Sequence, residues 1–286
     1  MLKTRVITAL VLLVVFLTAL FWLPQRAWAV FAGVFVVPAA WEWGKLINLA
    51  GVARGGYVLA VASVCAVLFG LAHLDTPAGA VALMSAEVHA GGLQSAIYFG
   101  ATLFWTVIVP VWLWRSWLPR ERWLAALTGL LVLVPTWLAL VELRRLGPLL
   151  LLLLMSVAWI SDSAAYFAGR HFGRHKLAPS ISPGKTWEGV VGAVLAVSLY
   201  AALWSLAWQA QFPQALKSLR FGAFGMLLFL WLLTACGIYG DLFESALKRQ
   251  AGVKDSGAIL PGHGGMLDRI DALTAVLPVA ACVYLS

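Results

Sequence analysis

Charged residues are scarce in this chain. Aspartate, glutamate, lysine and arginine make up 11% of its 286 residues, whereas 62% are hydrophobic, and the mean hydropathy is +0.91. A typical water-soluble domain has about 25% charged residues. The composition therefore excludes an ordinary soluble domain and predicts a protein whose solvent is a lipid bilayer.

Cysteine is also rare, and its placement excludes two kinds of site. Cys65, Cys236 and Cys282 lie within apolar runs, with neither paired nor metal-ligand spacing, which favours packing over a disulfide or a zinc site. Basic stretches interleaved with aromatic residues are absent, so the net charge of +8 does not indicate a nucleic-acid partner. Anionic lipid headgroups or phosphates are the expected partners.

Long apolar runs are what the sequence has in abundance. A membrane-spanning helix needs about 20 mainly apolar residues, and we expect an all-α integral membrane protein of about nine such helices. The predicted spans are residues 6–23, 28–44, 55–74, 96–114, 123–141, 148–168, 188–209, 221–239 and 267–285. The first run follows Lys3 and Arg5, as in a signal peptide, but its length and the apolar segment directly after it favour a retained anchor.

Basic residues set the predicted orientation. With a cytoplasmic N-terminus, nine spans place most lysines and arginines on the cytoplasmic side, where the positive-inside rule expects them. The basic residues on the opposite side are Arg26, Arg144, Arg145, Lys217 and Arg220. The C-terminus is therefore expected outside.

Carboxylates divide the chain into two predicted regions. Residues 1–146 form an N-terminal transmembrane region with scattered carboxylates, and residues 147–286 form a C-terminal transmembrane catalytic region. The second region has two cytoplasmic loops rich in glycine and basic residues, 169–187 and 240–266. Its carboxylates fall toward the cytoplasmic side: Asp162, Glu188, Asp241, Glu244, Asp255, Asp268 and Asp271.

The start of the second loop predicts a helix with one polar face. Asp241, Glu244, Ser245 and Lys248 are spaced i, i+3, i+4 and i+7, which places them on one side of an amphipathic helix at the membrane surface. A headgroup-facing helix with local ion pairs is the alternative. That alternative explains Lys248 well, but it explains poorly an aspartate where an apolar span ends.

The same loop continues with glycines that let backbone N–H groups approach a phosphate. Lys254 and His263 would add donors. Turns between spans use the same residues, and His263 could instead satisfy backbone groups.

Two carboxylates open the last predicted span. Asp268 and Asp271 flank Arg269, and helix capping is the simplest role for one acidic residue at this position. Asp271 lies a turn deeper, where an unpaired charge costs several kcal/mol. A divalent cation is a suitable partner, since Mg²⁺ takes oxygen ligands; Asp241 and Asp268 are the preferred pair.

Asp162 is a carboxylate inside a predicted span, eight residues before Arg170, or about 12 Å along a helix. It is expected either to position a ligand or to form a structural ion pair, and Glu42 poses the same question.

The first loop contains Gly184-Lys185-Thr186, which looks like a phosphate-binding P-loop but lacks the earlier glycine, because Pro179 occupies that position. Lys185 can still present its charge to a phosphate at a helix N-terminus. An interfacial turn anchored by Trp187 is the alternative.

Several of these residues together resemble a known signature. The run Ser245, Lys248-Arg249, Lys254-Asp255, His263-Gly264-Gly265 and Asp268-Arg269-Ile270-Asp271 is similar to that of phosphatidate cytidylyltransferases. Segments 41–43, 161–170 and 182–189 also resemble that family. The resemblance implies a homodimeric, multispan enzyme of the bacterial inner membrane. It would use Mg²⁺ to transfer CMP from CTP to phosphatidic acid, releasing pyrophosphate on the cytoplasmic side.

The resemblance also implies roles for individual residues, and it leaves open a second, monovalent or divalent, cation. Catalytic roles fall to Asp241, Asp268, Lys248 and Arg249, and Mg²⁺ binding to Asp241, Asp268 and Asp271. Substrate-binding roles fall to Ser245, Lys254, Asp255, His263, Gly264, Gly265, Arg269, Lys185 and Asp162.

Three other functions would use some of the same residues. A CTP-dependent kinase of a lipid alcohol would also need a metal and triphosphate contacts, but the complete signature run argues against it. The spaced double-aspartate pattern of a CDP-alcohol phosphotransferase is absent. A transporter would suit an intramembrane Asp162 and glycine-rich connections, but internal repeats are missing.

Overall fold

The computed structural model describes residues 2–73, 80–209, 222–259 and 264–285. A π-helical segment, Phe104–Ile108, joins α4 to α5, and two short strands, β1 (Lys176–Ala178) and β2 (Ser182–Thr186), precede α8. The α-helices are α1 (Leu2–Trp22), α2 (Gln25–Leu46), α3 (Gly51–His73), α4 (Ala80–Leu103), α5 (Val109–Trp114), α6 (Arg122–Leu146), α7 (Pro148–Phe172), α8 (Trp187–Gln209), α9 (Ala223–Gln250) and α10 (Leu267–Leu285).

In the described part of the chain, seven helices are long and apolar enough to cross a membrane. They are Gln25–Leu46, Gly51–Leu71, Gly92–Trp114, Arg122–Leu146, Pro148–Phe172, Trp187–Trp204 and Phe224–Gln250. The predicted helical membrane class is thereby confirmed. Helices α1 and α10 coincide with the first and ninth predicted spans but are not among the seven, so the count of nine stays a prediction.

Tryptophan N–H groups fasten α2 to α6. Trp28 donates to the carbonyl of Leu140 (2.9 Å), and Trp43 donates to that of Ala125 (3.0 Å). In return Trp137 of α6 donates to Ala29 of α2 (3.1 Å). These indoles are buried, so each bond satisfies an N–H that would be costly to leave alone in an apolar interior.

An aromatic cluster sets the position of α9. Phe243 lies among Trp43, Phe104, Trp105 and Trp112, with ring centroids 5.7–6.3 Å apart. These rings come from α2, the π-helical segment and α5. Because Phe243 is buried on the side of α9 opposite Asp241, the cluster turns the polar face of α9 toward α7 and α10.

Helix α9 runs past the predicted span. The predicted span ends at residue 239, and the helix with one polar face predicted for the start of the next loop is the continuation of α9, which runs without a break to Gln250. Leu242, Phe243 and Leu247 remain buried and keep this stretch packed. The helix ends at Gly252 (φ +70°), where N–H groups of Gly252 and Val253 bond to the carbonyls of Arg249 and Lys248 in a Schellman motif.

A β-hairpin departs from the all-α prediction. Strands β1 and β2 pair antiparallel, with Lys176 opposite Thr186, and they are too short to show a strand pattern in the sequence. Thr186 then caps α8, because its hydroxyl accepts the N–H of Gly189 (3.2 Å). The carboxylate of Glu188 accepts the backbone N–H of His175 (3.2 Å), which fixes the hairpin to the start of α8.

Helix α10 lies at the centre of the bundle. It packs against α2, α4 and α6 as well as α7 and α9, and its residues from Ala272 to Ala281 are buried. Both regions predicted from the sequence therefore surround it, and the division at residue 146 stays a prediction.

Candidate functional site

A cavity of about 450 Å³ lies between the end of α7, the stretch of α9 around Asp241, and the beginnings of α8 and α10. Its walls come from these four helices and the β-hairpin. The charged residues that line it are Asp162, Arg170, Lys185, Asp241, Asp268 and Asp271. We refer to it as the acidic cavity, because four of these six side chains are carboxylates. All of them come from sequence segments singled out above.

Asp241 connects α9 to the β-hairpin. Its carboxylate forms an ion pair with the ammonium of Lys185 (2.7 Å) and accepts the hydroxyl of Ser245 (3.2 Å). Both charged side chains keep part of their surface exposed, 29% for Asp241 and 23% for Lys185. The ion pair therefore fixes the position of both side chains, and both remain accessible from the cavity.

Lys248 bridges two carboxylates. Its ammonium lies 2.7 Å from an oxygen of Glu244, one turn earlier on α9, and 2.7 Å from an oxygen of Asp268 on α10. The side chains are 13%, 4% and 9% exposed for Lys248, Glu244 and Asp268. An ion triad so withdrawn from water holds α9 and α10 at a fixed separation, since each charge depends on the others for compensation.

Backbone N–H groups hold the other side of Asp268. Gly265 donates to its carboxylate at 2.8 Å, and Ser256 donates at 3.1 Å. The bond to Gly265, three residues upstream, resembles the reciprocal bond of a capping box. Asp268 therefore has the capping role considered from the sequence and also meets Lys248.

Asp162 and Asp271 line the cavity without forming an ion pair among the described residues, and Lys185 of the same cavity is the cation that acts on Asp162 electrostatically. Within the described ranges, no lysine or arginine lies within ion-pair distance of either carboxylate. Asp271 accepts the N–H of Ala272 (2.7 Å). The alternative of a structural ion pair for Asp162 is thus not what the described residues show. About two turns after Asp162 on α7, Arg170 donates to the hydroxyl of Tyr166 (3.0 Å).

Comparison with known proteins identifies the family. The sequence profile of the Cytidylyltransferase family matches residues 3–286. The chain belongs to this family. A phosphatidate cytidylyltransferase of Pseudomonas aeruginosa is 40% identical over 99% of this chain and 97% of its own length. One of Haemophilus influenzae is 32% identical over 99% of both chains, and one of Thermotoga maritima is 45% identical over about half of each, 49% and 51%. The resemblance inferred from the signature run is confirmed.

In this cytidylyltransferase-family chain, several predicted site residues lie outside the acidic cavity. Arg249 is exposed and donates to the carbonyl of Ile181 (3.3 Å), which links α9 to the turn of the hairpin. Lys254, Asp255 and Arg269 are exposed and do not line the cavity. Gly264 adopts a positive φ of +82° beside Asp268. His263 lies outside the described residues.

Sequence reasoning gave little weight to two residues that the structure places beside the site. Glu42 of α2 is 2% exposed and contacts the start of α10; in the sequence it was a carboxylate in an apolar run, within the segment 41–43 that resembles the family, and no role was assigned to it. Ser256 is fully buried and contacts Asp268 and Glu42. Its one signal is its place among the glycines of the loop, which does not separate it from an ordinary turn residue.

Two other cavities contain none of the predicted site residues. A small one of about 90 Å³ lies between the end of α2 and the start of α6. An apolar one of about 620 Å³ lies along the outer faces of α7 and α8. The clustered charges therefore distinguish the acidic cavity as the candidate site.

Proposed function

We propose that this chain transfers CMP from CTP to phosphatidic acid, forming CDP-diacylglycerol and releasing pyrophosphate for phospholipid biosynthesis. The observation that carries the proposal is the acidic cavity, in which Asp268 and Asp271 of the signature run meet Asp241 and Lys185 between apolar helices. Two relatives that match almost the whole chain bear the name phosphatidate cytidylyltransferase. Nucleic acid is not an expected partner.

The reaction needs charge compensation more than a covalent nucleophile. A phosphate oxygen of the lipid attacks the α-phosphorus of CTP, a new P–O bond forms, and the bond to the bridging oxygen of the β-phosphate breaks as pyrophosphate leaves. Phosphoryl-type transfers of this kind depend on positioning and electrostatic stabilisation. Lys185 and Lys248 are proposed to meet phosphate oxygens, because both ammonium groups lie beside cavity carboxylates.

Mg²⁺ is the proposed metal. No three His, Cys, Asp or Glu side chains in the described ranges are grouped closely enough to hold a metal by themselves. Mg²⁺ commonly takes one or two protein carboxylates and completes its shell with water and substrate phosphate, so the donors present fit it. Asp241 and Asp268, the preferred pair, would hold the ion with Asp271 as a supporting carboxylate, and the ion would supply positive charge against the triphosphate. A second, monovalent or divalent, cation belongs to the same proposal.

The membrane arrangement is proposed as nine spans with the acidic cavity on the cytoplasmic side of the bacterial inner membrane. Gln250 at the end of α9 donates to the carbonyl of Pro119, which precedes α6 (3.1 Å). The C-terminal end of α9 and the N-terminal end of α6 therefore lie at the same end of the bundle. At the opposite end, Arg144 of α6 donates to the carbonyl of Leu20 in α1 (3.0 Å). Helix α1 thus begins on the cavity side and α10 ends away from it. This supports opposite locations for the termini.

Reporter fusions test this orientation. Green fluorescent protein at the N-terminus should fluoresce, and alkaline phosphatase at the C-terminus should be active, because the first folds in the cytoplasm and the second outside. A C-terminal phosphatase without activity, together with a fluorescent C-terminal fusion, would indicate an even number of spans and contradict the proposal.

A homodimer is also proposed, on the resemblance to the family. Chemical cross-linking in native membranes, followed by denaturing electrophoresis, should give a dimer band. A monomer band at every cross-linker concentration would argue against it.

Turnover of labelled CTP tests the reaction itself. The purified, detergent-solubilised protein is incubated with phosphatidic acid, Mg²⁺ and CTP labelled on the α-phosphate, and label is expected in the lipid phase together with free pyrophosphate. A chelator should abolish the transfer. Label in lipid only from γ-labelled CTP would identify a lipid kinase, and no turnover with either label would favour a transporter.

A further inference from the structure

Glu42 is a buried carboxylate contributed by the first half of the chain. It lies one turn before the end of α2 and is 2% exposed. Its partners are 214 to 225 residues away in the sequence. A carboxylate is rarely buried unless its oxygens are hydrogen-bonded, so its contacts indicate what it does.

Three donors converge on Glu42, and none of them carries a charge. One carboxylate oxygen accepts the N–H of Met266 (3.0 Å), and the other accepts the N–H of Leu267 (2.8 Å) and the hydroxyl of Ser256 (3.0 Å). The two N–H groups belong to the start of α10, where helix geometry leaves donors unpaired and the helix dipole favours a negative charge. Bonds of this charge-assisted kind are about twice as strong as neutral ones.

The same backbone segment also holds Asp268. Ser256 gives its hydroxyl to Glu42 and its N–H to Asp268, at 3.0 and 3.1 Å. Gly265 gives its N–H to Asp268 (2.8 Å), and the next residue gives its N–H to Glu42. Ser256 and residues 265–267 therefore lie between two carboxylates, one buried in the core and one facing the acidic cavity.

Close packing leaves little freedom at this junction. A Cβ atom on Gly257 would lie 2.2 Å from a carboxylate oxygen of Glu42. A Cβ atom on Gly265 would lie 2.1 Å from the hydroxyl oxygen of Ser256 and 2.6 Å from Glu42. Separations this short are repulsive, so a Cβ atom at either position would displace the Glu42 carboxylate or the Ser256 hydroxyl, and the two glycines let the backbone close directly around Glu42.

We propose that Glu42 is a positioning residue, which fixes the junction of Ser256 and residues 265–267 and through it the orientation of the Asp268 carboxylate. The inference rests on the proposed function in one respect, the part that Asp268 plays in CMP transfer. It adds to the site a residue of α2, which lies outside the signature run in the second half of the chain. Residues that orient a ligating group in this way change affinity or activity by about 10- to 100-fold when they are replaced.

Glu42→Gln tests the proposal with little change in size. The amide nitrogen would face a donor, so at least one of the three bonds is lost, together with the negative charge. Hydrogen–deuterium exchange in the segment containing Ser256 and residues 265–267 should accelerate at least about 10-fold. The kcat for CMP transfer should fall by about 10- to 100-fold and the half-saturating Mg²⁺ concentration should rise, whereas KM for phosphatidic acid should stay within about threefold.

Glu142→Gln is the matched control. Glu142 is also a buried carboxylate, 1% exposed, but it lies on α6 at the opposite end of the bundle and pairs with Arg145 (3.0 Å). Its replacement should lower thermal stability without changing kcat per folded molecule or exchange near Asp268. Ser256→Ala should reproduce part of the Glu42→Gln effect, and the double variant should be less than additive, since the two side chains share one bond.

The outcomes separate the inference from the proposed function. Unchanged exchange in the junction segment of Glu42→Gln, or a kcat equal to that of Glu142→Gln, would overturn the positioning role. If the junction exchanges faster in Glu42→Gln but the wild-type protein makes no CDP-diacylglycerol, the positioning of Asp268 stands and the proposed reaction fails.

Discussion

Asp268→Asn is expected to abolish detectable CMP transfer while the protein still inserts and folds. Asparagine can keep a hydrogen bond from Gly265 or Ser256, but it loses the charge that meets Lys248 and that would meet a cation. Removing one preorganised electrostatic group from an active site costs roughly 100- to 1,000-fold in rate. The measurement is CDP-diacylglycerol formed per folded molecule, with folding checked by thermal unfolding and size-exclusion profile.

Glu121→Gln provides the control for this substitution. Glu121 is exposed, precedes α6 near the same end of the bundle, and makes no capping bond with its side chain. The substitution removes the same charge as Asp268→Asn but lies outside the acidic cavity, so the activity of Glu121→Gln should match that of the wild-type protein. If Asp268→Asn retained more than about a tenth of wild-type activity, the role proposed for this carboxylate would be wrong.

Lys248→Met is expected to cost both stability and activity. The substitution leaves Glu244 and Asp268, 4% and 9% exposed, facing one another without a cation. Breaking a buried ion pair by removing one partner costs about 3–5 kcal/mol. The unfolding midpoint in detergent should therefore fall well below that of Lys45→Met, which removes an exposed lysine near the end of α2.

A second substitution separates the two effects of Lys248. Adding Glu244→Gln to Lys248→Met removes one of the stranded charges, so much of the lost stability should return. CMP transfer should not return, because the ammonium that would meet a phosphate is still missing. Recovery of activity together with stability would show that Lys248 is only a structural counter-charge.

The apolar runs predicted the membrane helices well but not where they end. Hydropathy reports whether a segment is stable in hydrocarbon, and it says nothing about a helix that continues beyond it. For this reason the eighth span was predicted to end near residue 239 and the polar helix after it was predicted separately, although the two form one helix that reaches Gln250. The signal that could have located its end is Gly252 after Lys248 and Arg249, since a glycine following basic residues is typical of a helix C-terminus.

The site residues that could be predicted to lie close together are those whose charge is costly in a membrane. Asp162, Lys185, Asp241, Asp268 and Asp271 all line one cavity, because buried charges must face a partner or a water-accessible space. Lys254 was assigned as a donor in the glycine-rich loop and Arg269 from the resemblance, and the direction of an exposed side chain is not encoded in spacing. The contacts of Glu42 depend on tertiary packing across more than two hundred residues, which no local pattern contains.

One face of α7 carries Asp162, Tyr166 and Arg170 at successive turns, a depth of about 12 Å along the acidic cavity. Under the proposed function, this depth would let a lipid phosphate reach the carboxylates while its acyl chains remain in the hydrocarbon, and a nucleotide would reach them from the water. Under the proposed reaction the two products part by solubility. Pyrophosphate diffuses into the cytoplasm and the liponucleotide stays in the leaflet, so dilution of one product alone opposes the reverse reaction.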